Sequence, residues 1–218
     1  MKKIVCLFVC LFVGSANTAL LGTRAELDGV LGGNQTLEDF ESLSLSFGGQ
    51  ANDTGNLNST SIFAGQGGGL VETGASYQSD GGSGALFWNG DGYFDLNSQS
   101  LGDSSEWRGL GIEILYDNPV NAFGFDMQGY LGYSMTGFVS VFDTVGSLIS
   151  STAVNGGFFG WEDMGGIGSV LIAADATGYI MIDNHGYGES SAVPEPTSLA
   201  LLGLALAGIS FSRKNKIT

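Results

Sequence analysis

Between residues 25 and 190 the apolar side chains recur in short runs, either alternating with polar residues or wholly apolar, and Gly, Asn and Asp separate these runs. No stretch of this span keeps the i, i+3, i+4, i+7 spacing of an amphipathic helix. The pattern predicts strands at residues 43–47, 85–88, 111–116, 120–127, 138–143, 148–152, 157–161, 169–174 and 179–183. Short strands with frequent turns favour an all-β fold, a jelly-roll-like two-sheet β-sandwich.

Turn-forming residues mark the ends of these predicted strands. Asp117-Asn118-Pro119 precedes one strand, and Asn155-Gly156 precedes another. The chain holds 37 Gly but only 3 Pro, which is typical of many tight turns and not of a collagen-like chain or a linker. We expect the Gly-rich section 50–84 to be a long surface connection. Its glycine run is not a phosphate loop, because no Lys-Ser or Lys-Thr follows it.

The N-terminus has the three parts of a secretory signal peptide. Lys2 and Lys3 are followed by an unbroken apolar run at 4–13 and then by small residues. Cleavage after Ala16, which predicts a signal peptide at 1–16, places small residues at both recognition positions; cleavage after Ala19 is the alternative. Both cysteines of the chain lie inside this segment, so we expect the exported protein to contain no disulfide.

The remaining domain, predicted at 20–190, is strongly acidic. Residues 20–193 contain two basic side chains, Arg24 and Arg108, and 21 acidic ones, a net charge of −19. Such a surface repels nucleic acid and anionic lipid and attracts divalent cations. Nucleic acid is therefore excluded as a partner.

The C-terminus combines three features in a fixed order. Pro194-Glu195-Pro196 comes first, an apolar stretch at 197–211 follows, and Arg213 and Lys214 belong to the basic end. Proline lacks an N–H group and resists helix formation, so the first element is expected to stay extended and accessible. The apolar stretch predicts a transmembrane helix at about 197–212, and the basic end would hold it with the domain outside.

These residues resemble the PEP-CTERM sorting signal, over 193–216. The resemblance implies recognition by an exosortase, a membrane-embedded transpeptidase-like enzyme of bacteria that make extracellular polysaccharide. Residues 118–188 also resemble the sandwich ectodomain of many PEP-CTERM proteins, which implies a jelly-roll fold without assigning an activity to any residue. We therefore expect a protein exported through the inner membrane by the secretion machinery and then anchored in the membrane, held at the cell surface or released into the matrix.

The acidic domain offers few residues for catalysis. It has one histidine, His185, and neither cysteine nor lysine, which excludes Cys–His chemistry, a Schiff-base lysine and a histidine-rich zinc site. No G-x-S-x-G motif is present, and His185 is expected to be structural. A carboxylate pair of a polysaccharide hydrolase or lyase remains as an alternative; its candidate residues are Glu72, Glu106, Glu113, Glu162 and Asp163. We expect no enzyme activity and no catalytic residue.

Two kinds of ligand fit the composition. Calcium prefers carboxylate and amide oxygens, and two clusters supply them: Asn89, Asp91 and Asp95, and Asp183 with Asn184. A calcium-dependent adhesin is thus a second alternative; otherwise no cofactor is expected. Aromatic rings suit sugar stacking, and the candidates are Trp88, Tyr93 and Trp107. The sequence predicts a non-catalytic surface or matrix protein associated with exopolysaccharide or biofilm.

Overall fold

The computed structural model describes residues 18–46, 49–53, 56–63, 65–80, 85–91, 98–103, 111–129, 136–175 and 180–191. Over these ranges the elements are β1 Thr18–Leu21, α1 Arg24–Leu31, β2 Thr36–Glu38, β3 Gln50–Asp53, β4 Ile62–Phe63, β5 Gln66–Gly67, β6 Ala75–Ser79, β7 Leu86–Asn89, β8 Ser100–Asp103, β9 Gly111–Gln128, β10 Gly137–Asp143, β11 Leu148–Val154, β12 Gly157–Ala174 and β13 Met181–Gly188. The all-β prediction is confirmed. The expected signal peptide and C-terminal helix lie outside the described residues. Within the described ranges no helix has the length and apolar character needed to cross a membrane.

Two long antiparallel strands, β9 and β12, organise the fold. The pairing register of these two strands shifts twice near the middle. Glu162 pairs with Ala122, the next pair is Ile167 with Val120, and the next is Ser169 with Leu115. The unpaired residues on both strands form a bend, at which each strand leaves one layer and enters the other. Eleven strands thereby form one continuous sheet that folds over on itself.

The two layers are defined by which half of β9 they contain. In the first layer, the initial half of β9 pairs with β6 and with the end of β12, beyond which lie β10 and β11. In the second layer, the final half of β9 pairs with the start of β12 and with β13, and β13 pairs with β2 and β8. Ring contacts such as Tyr77 with His185 and Tyr116 with Phe123 join the two layers across the core.

The predicted strand boundaries needed correction at the bend and in the loop-rich section. One strand, β9, contains both predicted strands 111–116 and 120–127, because Pro119 sits at the bend without ending it. Likewise, β12 contains both predicted strands 157–161 and 169–174. The section 50–84 contains the short strands β3 to β6: β3 pairs with β7 and β6 with β9, whereas β4 and β5 pair with each other in a separate hairpin. Residues 43–46 form no strand, although Leu43 is buried in the core.

Helix α1 was not predicted from apolar periodicity, yet its N-terminal signal is in the sequence. The Thr23 hydroxyl accepts a hydrogen bond from the Glu26 backbone N–H, and the Glu26 carboxylate accepts one from the Thr23 backbone N–H, which is a capping box. Left-handed Gly32 ends the helix. Leu27 and Leu31 are buried against the outer face of the second layer, in a small cluster separate from the main core. Only two turns long, the helix depends on this packing for stability.

A row of glycines makes room for the helix. Gly160 of β12, Gly124 of β9 and Gly186 of β13 are cross-strand partners on adjacent strands. A Cβ atom on Gly124 would lie 2.6 Å from Cζ of Phe158 and 3.0 Å from Cδ2 of Leu27. The row is therefore flat enough for the Phe158 ring and α1 to lie directly on the sheet.

Candidate functional site

An aspartate pair lies where β9 meets β13. Asp126 and Asp183 are direct cross-strand partners, just before the ladder between these strands becomes irregular. Asn184, which follows in the irregularity, has φ of +50° and donates from its side-chain amide to Oδ2 of Asp126 at 3.2 Å. The sequence pointed to Asp183 and Asn184, but it gave no reason to place Asp126 beside them.

Arg24 of α1 supplies the positive charge at this pair. Its guanidinium lies 3.2 Å from Oδ2 of Asp126, donates to the Asn184 carbonyl at 2.6 Å and sits 5.2 Å from the centre of the Phe158 ring. Arg24 is the only lysine or arginine among the described residues. The helix thus supplies the positive charge that pairs with Asp126 on the sheet. Both side chains are partly exposed to solvent, which limits the stabilisation by this ion pair to about 1 kcal/mol.

Asp183 is itself well satisfied by protein donors. It accepts from the Ser98 hydroxyl and, at 2.6 Å, from the Asn184 backbone N–H. Burial raises the pKa of its carboxyl above the usual value, and the Asp126 charge adds to this, whereas the two hydrogen bonds act in the opposite direction. Asp183 therefore holds a proton more readily than an isolated aspartate, and it lies on the rim of a shallow groove that Ser100 and Gln128 also line.

The described residues of the two clusters predicted to bind calcium lie on the same layer. Asn89 ends β7 and is buried, β8 separates it from Asp183 on β13, and Asp91 is exposed just beyond β7. Asp95 lies outside the described residues. Over the described ranges no three His, Cys, Asp or Glu side chains are grouped so as to hold a metal ion. Calcium binding stays a prediction.

His185 is at the centre of the core between the layers. Its Nδ1 is 2.7 Å from the Tyr77 hydroxyl, its Nε2 is 3.1 Å from the Tyr116 hydroxyl, and its ring stacks on Tyr187 at 4.7 Å. Burial, and secondarily the Arg24 charge, lowers its pKa to about 3. The imidazole is therefore neutral, with one ring nitrogen donating and the other accepting, and both are already engaged.

Glu38 is a buried ionisable group that the sequence patterns did not single out. Its Oε1 accepts from the Phe40 backbone N–H at 2.7 Å and its Oε2 from that of Glu72 at 2.6 Å, so the side chain joins β2 to the segment before β6. Only 3% of Glu38 is exposed. Burial raises its pKa to about 7, outweighing the two N–H donors, and the nearby charges of Asp39 and Glu72 also raise it.

The proposed sugar-stacking residues are placed as follows. Trp88 is fully buried, its indole N–H donates to the Phe40 carbonyl at 2.7 Å and its ring packs edge-on against Phe40. It is a core residue, with no face open to a sugar. Tyr93 and Trp107 lie outside the described residues.

The carboxylates of the hydrolase alternative are spread over different elements. Glu72 precedes β6 and is exposed, Glu113 on β9 accepts from the Gln78 amide at 2.6 Å, and Glu106 lies outside the described residues. Glu162 and Asp163 are consecutive on β12, where the Asp163 side chain accepts from the Gly165 backbone N–H at the bend. Asp163 thus stabilises the turn of the backbone at this position.

The sorting residues Pro194, Glu195, Pro196, Arg213 and Lys214 lie outside the described residues. Comparison with known families shows that residues 192–214 match the PEP-CTERM protein-sorting motif. The family resemblance drawn from the tail is thereby confirmed. Comparisons with curated proteins and with solved structures found no match.

Proposed function

We propose that this chain, a carrier of the PEP-CTERM sorting motif, is an exported, exosortase-processed, non-catalytic protein of the cell surface or extracellular matrix. The match over residues 192–214 is the observation on which the proposal rests. The motif implies export and sorting at the membrane.

The end of the folded domain suits a processing role for the tail. The last described residue, Ser191, is tied to α1, because its backbone N–H and its hydroxyl both donate to the Val30 carbonyl, at 2.9 and 3.1 Å. Pro194 follows three residues later, a reach of about 10 Å at most. An enzyme acting at Pro194-Glu195-Pro196 would therefore work close to α1, which predicts that it tolerates a folded domain beside its substrate.

A non-catalytic role is supported by the state of the described polar groups. His185 is enclosed with both nitrogens engaged, and the Asp126 charge is balanced by Arg24. A general acid or base needs contact with substrate, which an enclosed side chain lacks. The polysaccharide hydrolase or lyase remains the alternative.

The charge of the domain limits which polysaccharide it would contact. At −19 it repels an acidic polymer, so direct association favours a neutral polysaccharide, and an acidic one would need divalent cations as bridges. Calcium dependence of binding would therefore distinguish the two partner classes and would favour the adhesin alternative if calcium also raised the melting temperature.

The sorting step is tested by comparing Glu195→Ala with Glu189→Ala in the producing bacterium. Both variants remove one glutamate, but Glu189 lies outside the matched motif. We expect mass spectrometry to find the tail removed from the wild type and from Glu189→Ala, and retained on Glu195→Ala. Removal of the tail from wild-type protein in a strain without exosortase would refute the proposal.

Matrix association has its own test. The processed protein is mixed with polysaccharide from the same organism, with calcium or with a chelator, and sedimented. We expect co-sedimentation, and failure to bind under either condition, together with an unchanged biofilm after gene deletion, would contradict the matrix role. Turnover of a glycan that is abolished by Glu113→Gln or Glu162→Gln would support the hydrolase instead.

A further inference from the structure

Strand β11 lies at the edge of the sheet. It pairs with β10 along Gly137 to Phe142, and in the part of the chain that the structure describes no strand pairs with its other side. The strand has seven residues and is about 23 Å long. An open edge of this length presents a row of backbone N–H and C=O groups that can pair with another chain.

The edge lacks the charges that usually prevent such pairing. Residues 144–161, which include the turn before β11, the strand and the start of β12, contain no acidic or basic side chain. Natural edge strands commonly carry lysine, other charges or proline as protection against edge-to-edge contact. In a domain with a net charge of −19 few intervals of this length lack charge; residues 54–71 are another, but the strands described there, β4 and β5, have only two residues each.

Apolar side chains are exposed beside the same edge. Val145 in the β10–β11 turn is 83% exposed, Leu148 at the start of β11 is 59% exposed and Phe138 on β10 is 52% exposed. Phe138 is the cross-strand partner of Ala153, and Phe142 that of Leu148. The edge therefore combines unpaired backbone groups, no charge and accessible apolar surface.

We propose that β11 is a self-association surface, on which a second copy of this chain adds its own β11 antiparallel across a two-fold axis. Such pairing places only small or apolar neutral side chains opposite one another, because the strand reads Leu-Ile-Ser-Ser-Thr-Ala-Val. A register centred on Thr152 sets Ser151 of each copy opposite Ala153 of the other, on the solvent-facing side. The two sheets then continue as one.

Charge is the reason for choosing a second copy as the occupant. Two copies repel each other where both carry charge, so a seven-residue edge without charge, such as β11, is a favourable place for close approach. Because charge repulsion opposes the pairing, its salt dependence should be unusual. Raising the ionic strength from 0.1 M to 1 M shortens the screening length from about 10 Å to about 3 Å, which weakens the repulsion and leaves the backbone hydrogen bonds in place. Association should therefore strengthen with salt.

This inference goes beyond the proposed function and does not depend on it, since the edge belongs to the folded domain and requires neither processing nor polysaccharide. A failure of sorting would leave it untouched. A failure of self-association would leave the sorting proposal untouched.

The experiment introduces a charge at Ser151, which is exposed and bonds through its hydroxyl to Ser140 at 3.0 Å. The full chain is purified in detergent as wild type, Ser151→Glu and Ser151→Lys, and sedimentation equilibrium gives the association constant. Asn34→Glu and Asn34→Lys, at an exposed site beyond α1, are the matched controls for net charge. Melting curves confirm that every variant is folded.

We expect the wild type to self-associate more strongly at 1 M than at 0.1 M salt. Each Ser151 variant alone should associate about fivefold or more weakly than its Asn34 control, because the two like charges then lie diagonally across the edge, about 7–8 Å apart. Mixing Ser151→Glu with Ser151→Lys should restore association. A wild type that stays monomeric up to about 1 mM, or Ser151 variants that associate as strongly as their controls, would overturn the proposal.

Discussion

Replacing Glu38 by glutamine should change how the stability of this domain depends on pH. In the folded protein burial raises the pKa of Glu38 from 4.5 to about 7. Between these values the folded state holds a proton that the unfolded state releases, so the carboxyl stabilises the fold below pH 4.5 and this contribution is lost as the pH rises through 7. The amide side chain of the Glu38→Gln variant does not titrate, so the variant lacks this dependence.

The magnitude follows from the size of the pKa change. The difference between 7 and 4.5 is 2.5, and at 1.36 kcal/mol for each unit the free energy of unfolding contributed by Glu38 falls by about 3 kcal/mol from pH 4 to pH 8. The substitution also lowers the free energy of unfolding by about 1–3 kcal/mol at every pH. The NH2 group of the new amide would face the backbone N–H of either Phe40 or Glu72, where an acceptor is needed.

His185 has the opposite pH dependence, which makes the effect visible. Burial lowers its pKa from 6.5 to about 3, so its contribution is present above pH 6.5 and is lost as the pH falls towards 3. Between pH 4.5 and 6.5 the effects of Glu38 and His185 cancel in the wild type. In Glu38→Gln the histidine effect is uncompensated, and the free energy of unfolding should drop by about 2.7 kcal/mol as the pH falls over that interval.

Urea unfolding followed by tryptophan fluorescence, at pH 4 to 8 and constant ionic strength, measures both proteins. The readout is the difference in unfolding free energy between wild type and variant, in which the other titrating groups cancel. Glu189→Gln, a charge change at the exposed end of the described chain, controls for lost net charge. The reasoning is refuted if the difference varies by less than about 1 kcal/mol across this range, or if it grows with pH.

Three further predictions concern the helix and the first strand. Gly124→Val should lower the unfolding free energy by about 3 kcal/mol and loosen α1, because its Cβ would lie 2.6 Å from the Phe158 ring. Unchanged urea unfolding would contradict the claim that the row of glycines makes room for the helix. Gly29→Ala has no atom within 4 Å of the new Cβ and should raise stability by about 0.5–1 kcal/mol in the same assay; a loss would show a hidden contact. N-terminal mass analysis should find Asn17 first, since the β1 pairing with β12 begins at Thr18, and a chain starting at residue 20 would disprove this.

Local patterns carried much of the information about this protein. Period-two apolar runs located residues 138–143 and 148–152 within a residue or two of β10 and β11, because a half-buried strand needs only its own alternation. Thr23 and Glu26 carried the start of α1 as a capping box. The tail was recognisable without any fold, since Pro194-Glu195-Pro196, an apolar stretch and a basic end form a contiguous signal.

The sequence by itself determined the β class, the acidity and the sorting tail, whereas the tertiary structure decided how the sheet closes and what lies inside it. Pro119 reads as a turn, but strands paired on both sides carry β9 through it into the second layer. Glu38 and His185 acquire their altered pKa values only when residues far apart in the chain bury them. Alternation, capping and charge are properties of neighbouring residues, but strand pairing and burial depend on distant ones.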